Sequence, residues 1–232
     1  MMTSPARISA AILLAALATG CSRSGTAPVQ TAARPAADAP AATPAAPTAA
    51  HQHDAPSAGA HEGMHGPTAA ITVPQGALYT EADVRFMQGM IAHHGQAIHM
   101  SKLAASRGAD PRLLKFALKI DQSQAAEIVL MQDWLRAHKQ AAPDAESWRT
   151  MTMHGMLTAE EMEKLAAARG TEFDRLFLTY MIRHHEGALR MVAELLASPR
   201  AAQDVDVSVF ANDVETVQTA EIAVMYSMLA DL

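Results

Sequence analysis

A pattern of methionine and histidine occurs twice in this chain with the same internal spacing. The first copy spans residues 86–100 and the second spans residues 177–191, an offset of 91 residues. In each copy a methionine lies three residues before a pair of adjacent histidines, and a second methionine follows the pair. Thioether sulfur and neutral imidazole are ligands that soft metal ions prefer. The repeated pattern therefore suits Cu(I) or Ag(I). The candidate ligands are His93, His94, His184 and His185, with Met90, Met100, Met181 and Met191 as either further ligands or core residues.

The spacing within each copy is that of one stripe on a helix. Phe86, Met90, His93, Ala97 and Met100 are separated by steps of four and three residues, and the second copy repeats these steps. Residues at such spacings lie on the same helical face. The second histidine of each pair is rotated by about 100° from the first. We expect it to point to the flank of the stripe, toward a second helix or solvent.

Each copy is followed by a helix with a second repeated stripe. Gln124, Glu127 and Met131 recur at the same spacing as Gln218, Glu221 and Met225. Two helical hairpins of this kind predict a four-helix bundle with an approximate internal two-fold axis. A buried carboxylate must be paired or metal-bound. We therefore expect the two glutamates to hydrogen-bond His93 or His184 and fix the imidazole tautomer, or to be ligands themselves. The two methionines are either further ligands or core residues.

The elements that would position these residues are all helical. Thr158 with Glu161 predicts a capping box, and Thr171 with Asp174 predicts a helix N-terminus. Gly170 is typical of a helix C-terminus. The fold class is all-α, with four long helices and one short connecting helix. The predicted helices are about 80–106, 111–139, 158–168, 171–197 and 202–230.

The N-terminal region indicates export. Residues 1–20 contain Arg7, an apolar run and small residues, which is typical of a secretory signal peptide. Cys21 is the only cysteine, and its position resembles the lipidation site of a bacterial lipoprotein. We therefore expect a lipid anchor on the periplasmic side of the envelope; the alternative is an ordinary signal that leaves a free cysteine. Residues 21–74 are rich in alanine and proline, which predicts a disordered tether.

Two further groups of soft or borderline ligands lie outside the repeats. The tether contains residues that either capture metal loosely or merely occupy a spacer: His51, His53, His61, Met64 and His65. The segment between the two halves contains Met151, Met153, His154 and Met156. Because loop residues are less constrained by core packing, we interpret this segment as a possible additional soft-metal site.

Composition limits the remaining possibilities. Residues 75–232 are long enough for one domain with a core, divided into halves of about 80–139 and 171–230. The net charge of −6 argues against a nucleic-acid partner. The domain lacks cysteine, which excludes thiolate ligands and disulfides. The 15 methionines outnumber all aromatic residues together. Lys119 and the basic residues near it are expected to form a solvated face.

The repeated Met-His-His motifs, the Gln-Glu-Ile-Met stripes and the segment 155–158 together resemble the domain of unknown function 305 family over residues 79–232. This resemblance implies a ferritin-like four-helix bundle. It also implies an exported protein that binds copper or silver in the periplasm, as some members do in copper resistance. The eight methionines and histidines of the two copies are the residues carried over. The first copy reads Gly95-Gln96 where the second reads Glu186-Gly187, so we expect the second site to be more acidic.

Two other functions are consistent with parts of the pattern. A di-iron or di-manganese oxidase on a ferritin-like bundle would need Glu-x-x-His motifs on two of its helices, and residues 75–232 contain none. A metal-free envelope scaffold would use the histidines and glutamates as a buried polar network that sets helix register. We found no catalytic motif and expect no enzyme activity. The expected partners are metal ions, the membrane and other periplasmic copper proteins.

Overall fold

The computed structural model describes residues 70–232, which form five α-helices. The helices are α1 (Glu81–Leu103), α2 (Pro111–Ala137), α3 (Ala159–Ala167), α4 (Gly170–Ala197) and α5 (Val205–Ala230). Short 3₁₀ helices span Ala104–Ser106 and Ala145–Arg149. The all-α fold class predicted from the sequence is therefore confirmed. Within residues 70–232, no helix has both the length and the apolar character needed to cross a membrane.

Several sequence predictions fall outside the described residues. They concern the signal peptide at 1–20, the lipidation site Cys21, the tether apart from its last residues, and the tether ligands His51, His53, His61, Met64 and His65. These remain predictions.

The long helices form two hairpins that meet along α1 and α4. Helix α1 packs against α2, helix α4 packs against α5, and α1 contacts α4 between the two hairpins. Polar contacts join α2 to α5 at both ends: Arg112 Nη1 lies 3.0 Å from Asp231 Oδ2, and Trp134 Nε1 donates to Asp204 Oδ1 at 3.0 Å. The start of α2 is thus next to the end of α5, so these two helices are antiparallel.

Local sequence signals account for most of the helix ends. The side chains of Thr158 and Glu161 accept each other's backbone N–H groups at the start of α3, as predicted. Helix α5 begins at Val205, later than predicted, because the Asp204 side chain accepts the N–H groups of Asp206 and Val207. Such a side chain satisfies donors that have no partner within the helix.

Two predictions at the start of α4 are wrong. Gly170 does not end the preceding helix: α3 stops at Ala167, and Gly170, with φ of +54°, is the first residue of α4. Asp174 does not cap α4 through Thr171. Its carboxylate oxygens instead accept the backbone N–H of Asp110 at 3.1 and 3.3 Å. Asp174 therefore connects α4 to the start of α2.

The core consists of two apolar clusters, each containing three buried methionines that are related by the internal repeat. One cluster contains Met90, Met131 and Met191, and the other contains Met100, Met181 and Met225. Met90 and Met100 flank the histidine pair of α1, while Met181 and Met191 flank that of α4. Because Met90 shares a cluster with Met191, α1 and α4 are antiparallel. The histidines lie along these helices between the two clusters.

Candidate metal centre

The first histidines of the two repeats stack against each other at the α1–α4 contact. The ring centroids of His93 and His184 are 3.8 Å apart, with an interplanar angle of 38°. Both side chains are fully buried. The antiparallel packing brings these equivalent residues together, so the two halves of the chain contribute to one centre. We call the four buried histidines His93, His94, His184 and His185 the histidine layer.

The second histidine of each pair contacts a glutamate on the partner helix of its own hairpin. His94 Nε2 lies 2.6 Å from Glu127 Oε2, and His185 Nε2 lies 2.9 Å from Glu221 Oε2. The predicted partners of these glutamates were His93 or His184, and that prediction is wrong. The rotation of about 100° between adjacent helical residues directs the second histidine toward α2 or α5. The first histidine is directed toward the other hairpin.

These contacts define which ring nitrogens carry protons. A carboxylate only accepts hydrogen bonds, so His94 and His185 each donate from Nε2. His93 Nε2 donates to the backbone carbonyl of His154 at 3.1 Å. All three rings are thereby held with a proton on Nε2 and a lone pair on Nδ1. Each of these Nδ1 atoms is buried and has no hydrogen-bond partner.

His184 differs from the other three because neither ring nitrogen has a hydrogen-bond partner. Burial, followed by the charges of His93 and His185, holds its pKa well below the usual value. Burial and the neighbouring His94 lower the pKa of His93 to about 3. Both rings are therefore neutral at physiological pH. Neutral imidazole is the form that binds a metal ion.

The two histidine–glutamate pairs have different surroundings. Burial alone would raise the pKa of Glu221, but the His185 hydrogen bond and the charge of Lys119 together lower it. Lys119 Nζ lies 3.3 Å from Glu221 Oε1, in ion-pair contact without hydrogen-bond geometry. The Glu221 side chain is 4 % exposed, whereas that of Glu127 is 22 % exposed. Lys119 lies on a solvated face, as the sequence predicted, with its side chain 62 % exposed. Its contact with Glu221 on α5 was not predicted, because it joins residues that are distant in sequence.

The segment between the two halves packs on the histidine layer. We call residues 151–157 the methionine loop. Gln96 Nε2 donates to the carbonyl of Leu157 at 3.1 Å, and Gln96 Oε1 accepts the Leu157 N–H at 2.7 Å. On α4, a Cβ atom at Gly187 would lie 2.0 Å from the carbonyl oxygen of His154. Gln96 of the first copy therefore holds the loop, and Gly187 of the second copy makes room for it. These equivalent positions are among those at which the two copies differ.

The expectation of a more acidic second site is not met. Glu186 is exposed, and Tyr226 Oη donates to its carboxylate at 3.5 Å. It lies on the outer side of α4, away from the buried His184. Its counterpart Gly95 has a separate role, since a Cβ atom there would lie 1.8 Å from the carbonyl oxygen of Ala145 in the second 3₁₀ helix.

Within residues 70–232, the predicted sulfur ligands all lie in or against the core. The four repeat methionines and the two stripe methionines are buried, as is Met153 of the methionine loop. Met151 and Met156 are partly buried and pack against the cluster that contains Met90. Within the part of the chain that the structure describes, no group of three or more His, Cys, Asp or Glu side chains has a geometry ready to hold a metal ion.

The comparison with protein families settles the classification. Residues 83–229 match the model of the family described as domain of unknown function, DUF305. The chain belongs to this family. A search of curated proteins finds no match.

Two solved DUF305 structures resemble the chain over most of their own length. One is a protein from Streptomyces coelicolor assigned as secreted, with 29 % identity over 65 % of this chain and 93 % of that chain, at a TM-score of 0.57. The other is a DUF305 fragment from Deinococcus radiodurans, with 29 % identity over 66 % of this chain and 99 % of that chain, at a TM-score of 0.58.

A third similar protein, CopM, is known in metal-bound forms. Its Cu(I)-bound structure is 28 % identical over 64 % of this chain and 96 % of that chain, at a TM-score of 0.51. Structures of CopM bound to silver and to Cu(II) match at similar identity, with a TM-score of 0.52.

Proposed function

We propose that this DUF305 protein binds Cu(I) or Ag(I) at the histidine layer and sequesters or transfers the ion in copper homeostasis or resistance. In the same proposal the chain is exported and is anchored by a lipid on Cys21 at the periplasmic side of the envelope. The proposal assigns no catalytic reaction to the chain. The ion is cargo, and other periplasmic copper proteins are its expected donors or acceptors.

The observation that carries the proposal is the set of buried ring nitrogens without partners. These atoms are Nδ1 of His93, His94 and His185, and both ring nitrogens of His184. A buried polar atom left without a hydrogen bond costs about 1–3 kcal/mol. Several such atoms in one layer are explained if their lone pairs bind a metal ion. This set of unpartnered ring nitrogens thus suits a metal ion that prefers imidazole as a ligand.

The surrounding residues favour a soft, monovalent ion. Several buried methionines lie in the cluster on each side of the layer, and thioether sulfur prefers Cu(I) or Ag(I) over Zn(II) or Mg(II). The Nε2 hydrogen bonds of His94 and His185 to glutamates orient those rings and raise their basicity as ligands. The metal-bound structures of CopM, a similar protein, support the same assignment.

The second candidate function is a metal-free scaffold. The hydrogen bonds from His94 to Glu127 and from His185 to Glu221 favour it, because such pairs can fix helix register without any ligand. The scaffold does not account for His184, which is buried without any polar partner.

The test is an anaerobic competition titration of the exported chain with Cu(I) against a coloured chelator, with Zn(II) as the comparison ion. We expect tight binding that favours Cu(I). His93→Leu combined with His184→Leu should abolish it while circular dichroism shows an unchanged helix content. The matched control is His99→Leu, which replaces a partly buried histidine on α1 that stacks on Trp148 outside the layer. Retention of tight Cu(I) binding by the double variant would contradict the proposal.

A further inference from the structure

The methionine loop connects the protein surface to the core. Met151, His154 and Met156 are partly exposed, whereas Met153 is only 5 % exposed. Met153 belongs to the cluster that contains Met90 and the other methionines on that side of the layer, and Met151 and Met156 pack against this cluster. Thioether groups are therefore present from the surface of the loop to the edge of the histidine layer.

The loop is also held directly against the layer. The carbonyl of His154 accepts the hydrogen bond from His93 Nε2, and Gln96 binds both backbone groups of Leu157. Gly155, with φ of +77°, lies so close to Gly187 that a Cβ atom on Gly155 would be 2.9 Å from the Gly187 Cα. These contacts fix the donors of the loop next to the rings of the centre.

The donor atoms of the loop are less enclosed than those of the histidine layer. The sulfur of Met156 accepts the backbone N–H of Met153 at 3.3 Å, so it faces into the loop. The side chain of His154 is 23 % exposed, and its Nε2 lies 3.1 Å from Glu194 Oε1. An ion held here would keep contact with solvent, whereas an ion at His93 and His184 would not.

We propose that the methionine loop is the access site at which a soft monovalent cation is first bound and from which it passes to the histidine layer. The inference rests on the proposed function, since it needs the layer to be the final site. The cation moves from the thioethers of Met151 and Met156 past Met153 into the cluster beside the histidines. This route exchanges soft ligands one at a time, so the ion never loses all of its ligands in the apolar core.

A groove between α2 and α5 is the competing route. It has a volume of about 490 Å³ and reaches Met87 and Met131 in the same cluster. Met87 and Met131 are 2 % and 0 % exposed, and the groove offers carboxylates at its rim, which suit harder cations. The loop is favoured because Met151, His154 and Met156 are partly exposed, whereas the groove methionines are buried.

The two routes predict different uptake kinetics. The full chain is mixed anaerobically with a coloured Cu(I) chelate, and the rate of colour loss is followed together with the equilibrium affinity. Met151→Leu combined with Met156→Leu should slow uptake about tenfold, because leucine keeps the volume and removes the sulfur. The equilibrium affinity should stay that of the wild type. The matched control is Met162→Leu combined with Met228→Leu, which removes two thioethers that pack on the opposite cluster.

Each outcome has a definite meaning. Slow uptake in the loop variant with a normal rate in the control supports the access site. An unchanged rate in the loop variant overturns it, as does a rate that falls only in the groove variant Met87→Leu. A loss of equilibrium affinity in the loop variant also overturns it, because the loop would then be part of the final site. The equilibrium affinity of the wild type tests the proposed function separately from the uptake rate. If the wild type binds no Cu(I), the proposed function itself fails.

Discussion

At the scale of single residues, adjacent histidines have different environments although the sequence shows them as identical pairs. His185 donates to the buried carboxylate of Glu221, whereas neither ring nitrogen of its neighbour His184 has a partner. Their substitution in the metal-free protein should therefore have different consequences. A histidine ring with a hydrogen-bond partner contributes to the stability of the fold, whereas a buried ring without one lowers that stability.

We expect His184→Leu to leave the free energy of unfolding of the metal-free protein within about 1 kcal/mol of the wild type, because leucine leaves no unsatisfied nitrogen. His185→Leu should cost about 2–3 kcal/mol, since it leaves Glu221 Oε2 buried without its donor. Urea unfolding in the presence of a chelator measures both values. A larger loss for His184→Leu would show that its ring has a structural partner in solution and would favour the scaffold.

The low pKa of the buried histidines predicts how stability depends on pH. The pKa of His93 is lowered from 6.5 to about 3, first by burial and then by His94. Between these values the unfolded chain binds a proton that the folded chain does not, so stability falls as the pH falls below 6.5. The expected loss is about 1.4 kcal/mol per pH unit for each such histidine. Urea unfolding of the metal-free protein at pH 7.5 and 5.5 measures it, and His93→Leu should give a smaller difference.

At the scale of elements, close packing of the methionine loop on α4 depends on Gly187. A Cβ atom at this position would lie 2.0 Å from the His154 carbonyl oxygen and 2.8 Å from the Gly155 Cα. At an exposed helix position, a Gly→Ala substitution would stabilise the protein by about 1 kcal/mol, because alanine has the higher helix propensity. Here we expect Gly187→Ala to destabilise the protein by about 2 kcal/mol, because the added methyl group would overlap the loop backbone. Thermal and urea unfolding measure the effect, and Glu186→Ala at the neighbouring exposed position is the control. A stabilised Gly187→Ala protein would mean that the loop is not seated on α4.

The sequence predicts the helices better than it predicts the contacts between them. The repeated stripes and a capping box such as Thr158–Glu161 depend on local geometry, so the five helices follow from local sequence signals. The pairing of Glu127 with His94, not with His93, depends on the relative rotation of α1 and α2. The contact of Asp174 with Asp110 and that of Lys119 with Glu221 likewise join residues that are distant in sequence. No local signal encodes such contacts.

At the scale of the whole described domain, the internal repeat explains why one centre forms from two halves. Antiparallel packing of α1 on α4 places His93 of the first repeat against His184 of the second. The methionines related by the repeat follow the same symmetry, since each apolar cluster receives one of them from α1, one from α4 and one from α2 or α5. The symmetry is incomplete in two respects. The methionine loop covers one side of the histidine layer, and Lys119 contacts Glu221 but not Glu127.

This arrangement predicts a single shared site, not one site in each repeat. Under the proposed function, the His93 and His184 rings, whose centroids are 3.8 Å apart, would both lie beside one ion. We therefore expect one tightly bound Ag(I) per chain in native mass spectrometry. Either His93→Leu or His184→Leu alone should remove that ion, with His99→Leu as the control. Two independent sites would behave differently: the wild type would retain two ions, and each single substitution would remove one of them. Ag(I) suits this experiment because it does not change oxidation state, so the count depends on the ligands alone.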